Sequence, residues 1–342
     1  MAPILTENGN RMQLSRLSPS TPPRLPADAP GTVVTIGNFD GVHRGHRAVI
    51  LQAAEQARSL GLPLTVVIFE PLPREFFAER HGVTPVARLT RLRERFQAFE
   101  ALDVVDRLVL MPFNATLAGM PASNFVKELL IGALGARHVV IGDDFRFGVR
   151  RAGDFTLLER MGSELGFGVE RAVTVTLDGE RVSSTRVRAA LEVRDVATAA
   201  QLLGHPFFLC GRVMHGDKRG RQLGFPTANI ALRRRLSPLR GVFLVRMSGT
   251  DGGPRYGVAN IGTRPTVDGG EARLEVFVLD FDGDLYGELV TVEFLADIRD
   301  ERRFESLDAL VEQIRADVDE ARRLIDTYRA GTPWPVDEGE SK

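Results

Sequence analysis

The chain has 342 residues, 43% of them hydrophobic, and its 44 basic and 45 acidic side chains leave a formal charge of −1. One hydrophobic core rarely serves more than about 250–300 residues, so two domains are expected, and the near-neutral balance gives no reason to expect bulk nucleic acid or an anionic membrane as partner. The single cysteine, Cys210, excludes an intrachain disulfide and a cysteine zinc site, which suits a reducing cytosol; its apolar run Phe207-Phe208-Leu209-Cys210 reads as core.

Residues 1–30 carry four prolines between Pro22 and Pro30 and no apolar run of seven, so neither a secretory signal nor a membrane anchor is expected there. The segment reads as a disordered tail, with Met12 a second candidate start, and the location as cytoplasmic. From residue 31 to about 188, apolar strands alternate with helical periods: a strand at 33–36, a helix from about 45 to 59, a strand at 64–69, a helix around 89–102, a strand at 105–111, a helix near 123–134 and a strand at 138–141. This order predicts βαβ units on a parallel sheet, which takes its ligands beyond the carboxyl ends of the strands. A short helical stretch at about 196–203 precedes a change of texture. Strands with period-2 alternation at 207–213, 241–247, 274–281 and 289–294, separated by Gly- and Pro-rich turns, predict an antiparallel barrel or sandwich. From Ser306, the stripe Leu307, Leu310, Val311, Ile314, Val318, Ala321 and Ile325 predicts a helix that closes the second domain.

The first chemical signal is Gly37-Asn38-Phe39-Asp40-Gly41-Val42-His43-Arg44-Gly45-His46, which ends a strand in a glycine-rich turn and opens a helix. Gly37 and Gly41 permit backbone geometry or a close ligand approach that a side chain blocks. The helix N-terminus offers free N–H groups and a positive dipole end to an anion, and His43 and His46 share one helix face. Such a site can support nucleotidyl transfer by positioning a phosphate against an α-phosphorus and stabilising the departing pyrophosphate. Taken alone, two histidines at this spacing are more often surface decoration or a weak metal site. In its full context the stretch resembles the nucleotidyltransferase superfamily, especially the adenylyltransferase module of prokaryotic FAD synthetases. Three further segments match that module in order: Phe69-Glu70-Pro71-Leu72-Pro73-Arg74-Glu75-Phe76-Phe77, Ile141-Gly142-Asp143-Asp144-Phe145-Arg146-Phe147-Gly148 and Ser183-Ser184-Thr185-Arg186-Val187-Arg188. The resemblance implies nucleotide or phosphate contacts from Gly37, Phe39, Asp40, Gly41, Asp144, Thr185, Arg186 and Arg188, and flavin contacts from Phe69, Pro71, Phe145 and Phe147. Ordinary core packing accounts for Phe145 and Phe147 equally well. Leu72 departs from the polar residue or histidine common in the family.

The second signal runs from Gly211 to Asn229. Its stretch 216–224 holds Gly216, Lys218, Arg219, Gly220, Arg221 and Gly224, a basic loop able to fold over phosphates, although no Gly-Lys-Ser/Thr of a Walker A loop occurs. Alone, it reads more readily as a solvated hairpin. Its continuation Phe225-Pro226-Thr227-Ala228-Asn229 places a hydroxyl and an amide two residues apart, on one face of an extended segment, where both can reach one hard cation. This arrangement resembles the riboflavin kinase family, as do the stretches at 256–266 and 279–287. The resemblance assigns Mg²⁺ and phosphate binding to Thr227 and Asn229, and the catalytic base to Glu275, which otherwise reads as the solvent face of a strand. Phe277 stands where the family commonly has a histidine. Asp280, Asp282 and Asp284 read as turn residues, and Arg233-Arg234-Arg235 as a solvated loop without the interleaved aromatics of a nucleic-acid site.

The expected architecture is an α/β nucleotidyltransferase domain with a Rossmann-like parallel sheet at 31–188, a linker at 189–205, an antiparallel β-barrel riboflavin kinase domain with a C-terminal helix at 206–330, and disordered tails at 1–30 and 331–342. The resemblance implies two ATP- and Mg²⁺-dependent steps: phosphorylation of riboflavin to FMN, then adenylylation of FMN to FAD with release of pyrophosphate. Riboflavin, FMN and ATP are the expected partners, without nucleic acid or membrane, and self-association is left open. A chain with one working activity, the kinase, and a non-catalytic flavin-responsive protein are the rival readings. Because the two halves imply independent cores, a fragment of 190–342 is expected to fold alone and phosphorylate riboflavin.

Overall fold

The computed structural model describes residues 12–20, 22, 30–215, 224–264 and 271–329. The chain divides into two compact units, residues 1–86 with 95–182, and residues 87–94 with 183–342.

The first unit is built on a six-stranded sheet of β1 (Gln13–Arg16), β2 (Thr32–Gly37), β3 (Leu64–Phe69), β4 (Arg107–Met111), β5 (Ala136–Ile141) and β6 (Gly168–Arg171), in the order β1-β4-β3-β2-β5-β6. All its pairings are parallel. β2 and β3 are Val- and Ile-rich on both faces and buried almost throughout, as strands covered on two sides must be. After β2, helix α1 (Arg44–Leu60) lays Ile50, Ala53, Ala54 and Ala57 on the sheet, and Gly61, at φ 63°, supplies the left-handed stop. Helices α2 (Pro73–Arg80) and α3 (Leu92–Glu100) follow β3. Short helices α4 (Ala115–Gly119) and α5 (Ala122–Asn124) lead into a π-helical stretch, Phe125–Ala133, that buries Phe125, Val126, Leu129, Leu130 and Ala133. Asp154 caps α6 (Phe155–Leu165) by accepting the Leu157 N–H at 2.9 Å, and a hairpin of β7 (Thr176–Leu177) and β8 (Glu180–Arg181) comes last. The chain steps outward from β2 through β3 to β4 and then returns to the other side of β2 with β5, so the turn after β2 lies at the switch point where such sheets bind ligands.

In the second unit, α7 (Ser184–Glu192) and α8 (Val196–Leu203) precede a closed antiparallel barrel of β9 (Phe208–Met214), β10 (Thr227–Ala231), β11 (Gly241–Ser248), β12 (Arg255–Arg264), β13 (Glu271–Val278) and β14 (Leu289–Arg299), in the order β10-β13-β12-β11-β14-β9. Helix α9 (Leu307–Arg329) packs Ala321 and Ile325 onto the outer-face cluster of Val242, Leu244, Val258 and Leu295. Arg299 fastens it by pairing with the buried Asp317 at 2.8 Å.

Four expectations need correction. The supposed N-terminal tail contains β1, an edge strand paired with β4 and flanked by the buried Met12 and Leu17; four residues of alternation among Ser and Pro gave too weak a local signal. The stretch 189–205 is not a bare linker: it holds the end of α7 and the helix expected at 196–203, α8, which buries Val196, Ala199, Ala200, Leu202 and Leu203. Arg234 is not solvated: it is 8% exposed, and its Nη2 donates to both carboxylate oxygens of Glu94, at 2.8 and 2.6 Å. Glu94 also accepts the Cys210 N–H at 3.1 Å, so residues 87–94 are part of the barrel unit and a fragment starting at 190 is incomplete. The tail beyond 330 and most of the basic loop, including Gly216, Lys218 and Gly220, lie outside the described residues.

Candidate active sites

In the first unit, the turn between β2 and α1 is held in an unusual backbone. Phe39 and Val42 take φ of 45° and 41°, in the left-handed region that side chains disfavour, and Gly41 takes 92°. Packing maintains this. Phe39 is buried edge-on to Phe99 and His46, with centroids at 5.8 and 5.2 Å, and a Cβ on Gly37 would stand 3.1 Å from the Phe39 ring. Gly37 and Phe39 therefore shape the turn from beneath. Asp40, also buried, is ion-paired to Arg74 of α2.

The turn presents two histidines. His43 caps α1, its Nδ1 accepting the His46 N–H at 3.3 Å, and the two imidazoles stack with centroids 3.6 Å apart. Gly45 makes this fit, because a Cβ there would lie 3.2 Å from the His43 ring. Burial, then His43 and then Arg181, push the His46 pKa well below its ordinary value, so the ring is neutral. Its Nδ1 is closed off from solvent and has no hydrogen-bond partner among the described residues. The first turn of α1 contains no acid, while Arg44 and Arg47 add cations to the positive dipole end, and burial followed by Arg44 lowers the Arg47 pKa. A neutral buried imidazole beside a helix N-terminus that carries two arginines and no acid suits an anion.

The neighbouring segment after β3 begins at Phe69, buried and edge-on to Phe113 at 5.7 Å. Pro71 is exposed, whereas Leu72 is buried at the start of α2 and contributes packing. Phe76, Phe77 and Phe113 form an aromatic cluster with centroids 5.3–5.8 Å apart, and Phe77 is exposed. After β5, Arg181 of the β7–β8 hairpin bridges Asp143 at 3.0 Å and Asp144 at 3.1 Å. Phe147 is core, packed on Phe125, while Phe145 lies half-buried 5.7 Å from it. Arg74 and Arg181 went unnoticed in the sequence, since nothing in an Arg-rich chain marks out single arginines as bridging.

Ser183 to Arg188 belong to the second unit, where the Ser183 hydroxyl caps α7 by accepting the Arg186 N–H at 3.3 Å. Thr185 is exposed. Arg188 is buried, donating to the carbonyls of Ala87 at 2.8 Å and Ser184 at 3.1 Å.

On the barrel, strand alternation turns Ala228, Ile230, Leu274 and Val276 inward and leaves Thr227, Asn229, Glu275 and Phe277 half-exposed outside. Register places Asn229 directly opposite Glu275 on β13, and Glu275 opposite Asn260 on β12, so the carboxylate sits between two amides in one row. Thr227 is opposite Phe277, which meets Phe225 edge-on at 5.4 Å and packs on the cluster under α9; the place of the family histidine is an apolar shelf. Gly224, at φ 84°, turns the chain into this segment. Asp280 pairs with Arg322, and Asp284 accepts the Tyr286 N–H at 2.9 Å, both turn roles. Among the described residues no cluster of His, Cys, Asp and Glu has metal-ligand geometry. The Thr227 hydroxyl and Asn229 amide oxygen are a donor set that fits Mg²⁺, which takes few protein oxygens and completes its shell with phosphate and water.

Comparison with known proteins follows the same division. The FAD synthetase family matches residues 25–186 and the riboflavin kinase family residues 203–325. A bifunctional riboflavin kinase/FMN adenylyltransferase of Pseudomonas fluorescens is 52% identical over 86% of this chain and 93% of its own length; that of Escherichia coli K12 is 48% identical over the same shares. A solved structure described as a macrolide-efflux protein from Streptococcus pneumoniae is 31% identical, with a TM-score of 0.75 over 90% of this chain and 98% of that one. Among the described residues, no helix is long and apolar enough to cross a membrane. With both family signatures in order and relatives aligned over nearly their whole length, the chain belongs to the bifunctional riboflavin kinase/FMN adenylyltransferase family.

Proposed function

We propose that this chain makes FAD from riboflavin in two ATP-dependent steps performed by separate residue sets. The observation that carries the kinase step is the row Asn229–Glu275–Asn260, which places one carboxylate between two amides beside the Thr227 hydroxyl. Glu275 takes the proton of the ribityl hydroxyl as its oxygen attacks the γ-phosphorus, and ADP departs. Thr227 and Asn229 hold Mg²⁺, which when bound neutralises charge on the phosphate oxygens. Phosphate binding is assigned to Gly216, Lys218, Gly220 and Gly224 by the family resemblance, and of these Gly224 alone is among the described residues.

In the second step a phosphate oxygen of FMN attacks the α-phosphorus of ATP and the bond to pyrophosphate breaks, with no proton to be taken from a hydroxyl. His43 and His46 donate to the phosphates, beside the α1 N-terminus with its Arg44 and Arg47. Asp144 serves the nucleotide, and Phe69, Pro71 and Phe145 the flavin; a triphosphate role for Thr185, Arg186 and Arg188 rests on the family resemblance alone, since Arg188 is buried and donates to the carbonyls of Ala87 and Ser184. The protein works in the cytoplasm. Burial of Leu72 favours one rival, a chain in which only the kinase works, because that position offers no polar contact. Chromatography of products from purified protein separates the two: with riboflavin, ATP and Mg²⁺ the proposal expects FMN followed by FAD, and supplied FMN left unconverted would establish the rival.

A further inference from the structure

The two loops of the adenylyl-transfer site are joined through a side chain that the chemistry itself does not use. Arg95 is 0% exposed, although Arg93 on the same helix is exposed. One Nη donates to the carbonyl of Asn38 at 3.2 Å and to that of Phe69 at 3.3 Å, while the other is ion-paired to Glu70. Asn38 opens the histidine turn after β2, and Phe69 and Glu70 open the Pro71–Phe77 segment after the adjacent β3. A second strut runs between the same loops, from Arg74 of the segment to the buried Asp40 of the turn. A flat guanidinium with donors in a rigid fork fixes both the distance and the angle between its acceptors, which a flexible ammonium does not.

We infer that Arg95 is a positioning residue for FAD formation: it sets the separation of the histidine turn from the Phe69–Phe77 segment, and so aligns the FMN phosphate with the α-phosphorus of ATP. This rests on the reading that the turn holds ATP phosphates. Each loop keeps its own binding groups when the brace is removed, so the defect appears in alignment and not in affinity. Misplacement of reacting groups by about 1 Å costs about 10²-fold in rate.

Steady-state kinetics of FMN adenylylation on the full chain test this, with active sites counted by titration with FAD, the product of that site alone, and riboflavin phosphorylation in the same preparation reporting the folded barrel unit. Arg95→Met should lower kcat per active site about 10²-fold, with KM for ATP and for FMN within about threefold of wild type. Arg95→Lys should recover part of the rate. If Arg95→Met yields too little folded protein, Glu70→Gln, which keeps shape and removes the charge from the same strut, should lower kcat about tenfold with the same unchanged KM values. A kcat per active site equal to wild type in Arg95→Lys and Glu70→Gln, or a loss confined to the count of active sites, would overturn the inference. The reading beneath it fails separately: FAD formation undiminished in His43→Ala/His46→Ala removes the histidine turn from the reaction, whatever Arg95 does.

Discussion

Replacing Glu94 by Gln tests whether residues 87–94 are structural members of the barrel unit. The Glu94 carboxylate accepts from Arg234 at 2.8 and 2.6 Å and from the Cys210 N–H at 3.1 Å, and it is 1% exposed. The amide keeps the shape and can still accept from Cys210, so the change isolates the charge pair. It leaves a guanidinium that is 8% exposed without its carboxylate. Breaking a buried ion pair from one side costs about 3–5 kcal/mol, because the remaining charge has given up its water without compensation. For a domain of about 150–250 residues each kcal/mol moves the midpoint by about 2–4 °C, so calorimetry should show the barrel transition lowered by about 6–20 °C. In a double-mutant cycle with Arg234→Met the two losses should be less than additive. A Glu94→Gln transition within about 2 °C of wild type would refute the assignment of 87–94 to the barrel.

The same pair predicts that a fragment of 190–342, which lacks Glu94 and starts inside α7, melts below the barrel transition of the full chain or comes out insoluble; a soluble fragment with the full-chain midpoint contradicts this. His46 is held below its ordinary pKa by burial, His43 and Arg181, so the unfolded chain binds the extra proton: its stability contribution is full above about pH 6.5 and is lost as the pH falls below that. The wild-type midpoint should therefore drop more steeply from about pH 7 to 5.5 than that of His46→Gln, and parallel slopes would count against a neutral, buried His46. Burial, with Glu94 nearby, pushes the Cys210 thiol up to about 12, leaving about 10⁻⁴ as thiolate at about pH 8. Iodoacetamide should label unfolded but not native protein, as read by mass spectrometry, and equal rates would contradict the burial.

Long-period features were legible in the sequence and long-range ones were not. The strand at 64–69 stood out as a run of five apolar residues and one threonine, and the helical stretch at 196–203 was visible from its apolar period. The histidine turn and the Thr227/Asn229 segment were found because their residue types and spacing belong to one strand-turn unit. Glu94 and Arg95 look alike in sequence, two charges on an amphipathic helix, yet both are buried, each held by partners distant in the chain. Local pattern cannot show a buried charge whose partner lies over a hundred residues away, as Arg234 does from Glu94. The alignment of Asn260 with Glu275 depends on the register between β12 and β13, which period-2 alternation leaves open.

The most direct test of the account is a reciprocal assay on two full-length variants, Glu275→Gln and His43→Ala/His46→Ala, each given ATP and Mg²⁺ with riboflavin or with FMN. Glu275→Gln should lose about 10²–10⁴ in riboflavin phosphorylation, the usual share of a general base, and still convert supplied FMN to FAD. The double histidine variant should make FMN from riboflavin and stop there. Loss of both activities in either variant, or of neither, would contradict two separate residue sets for two reactions.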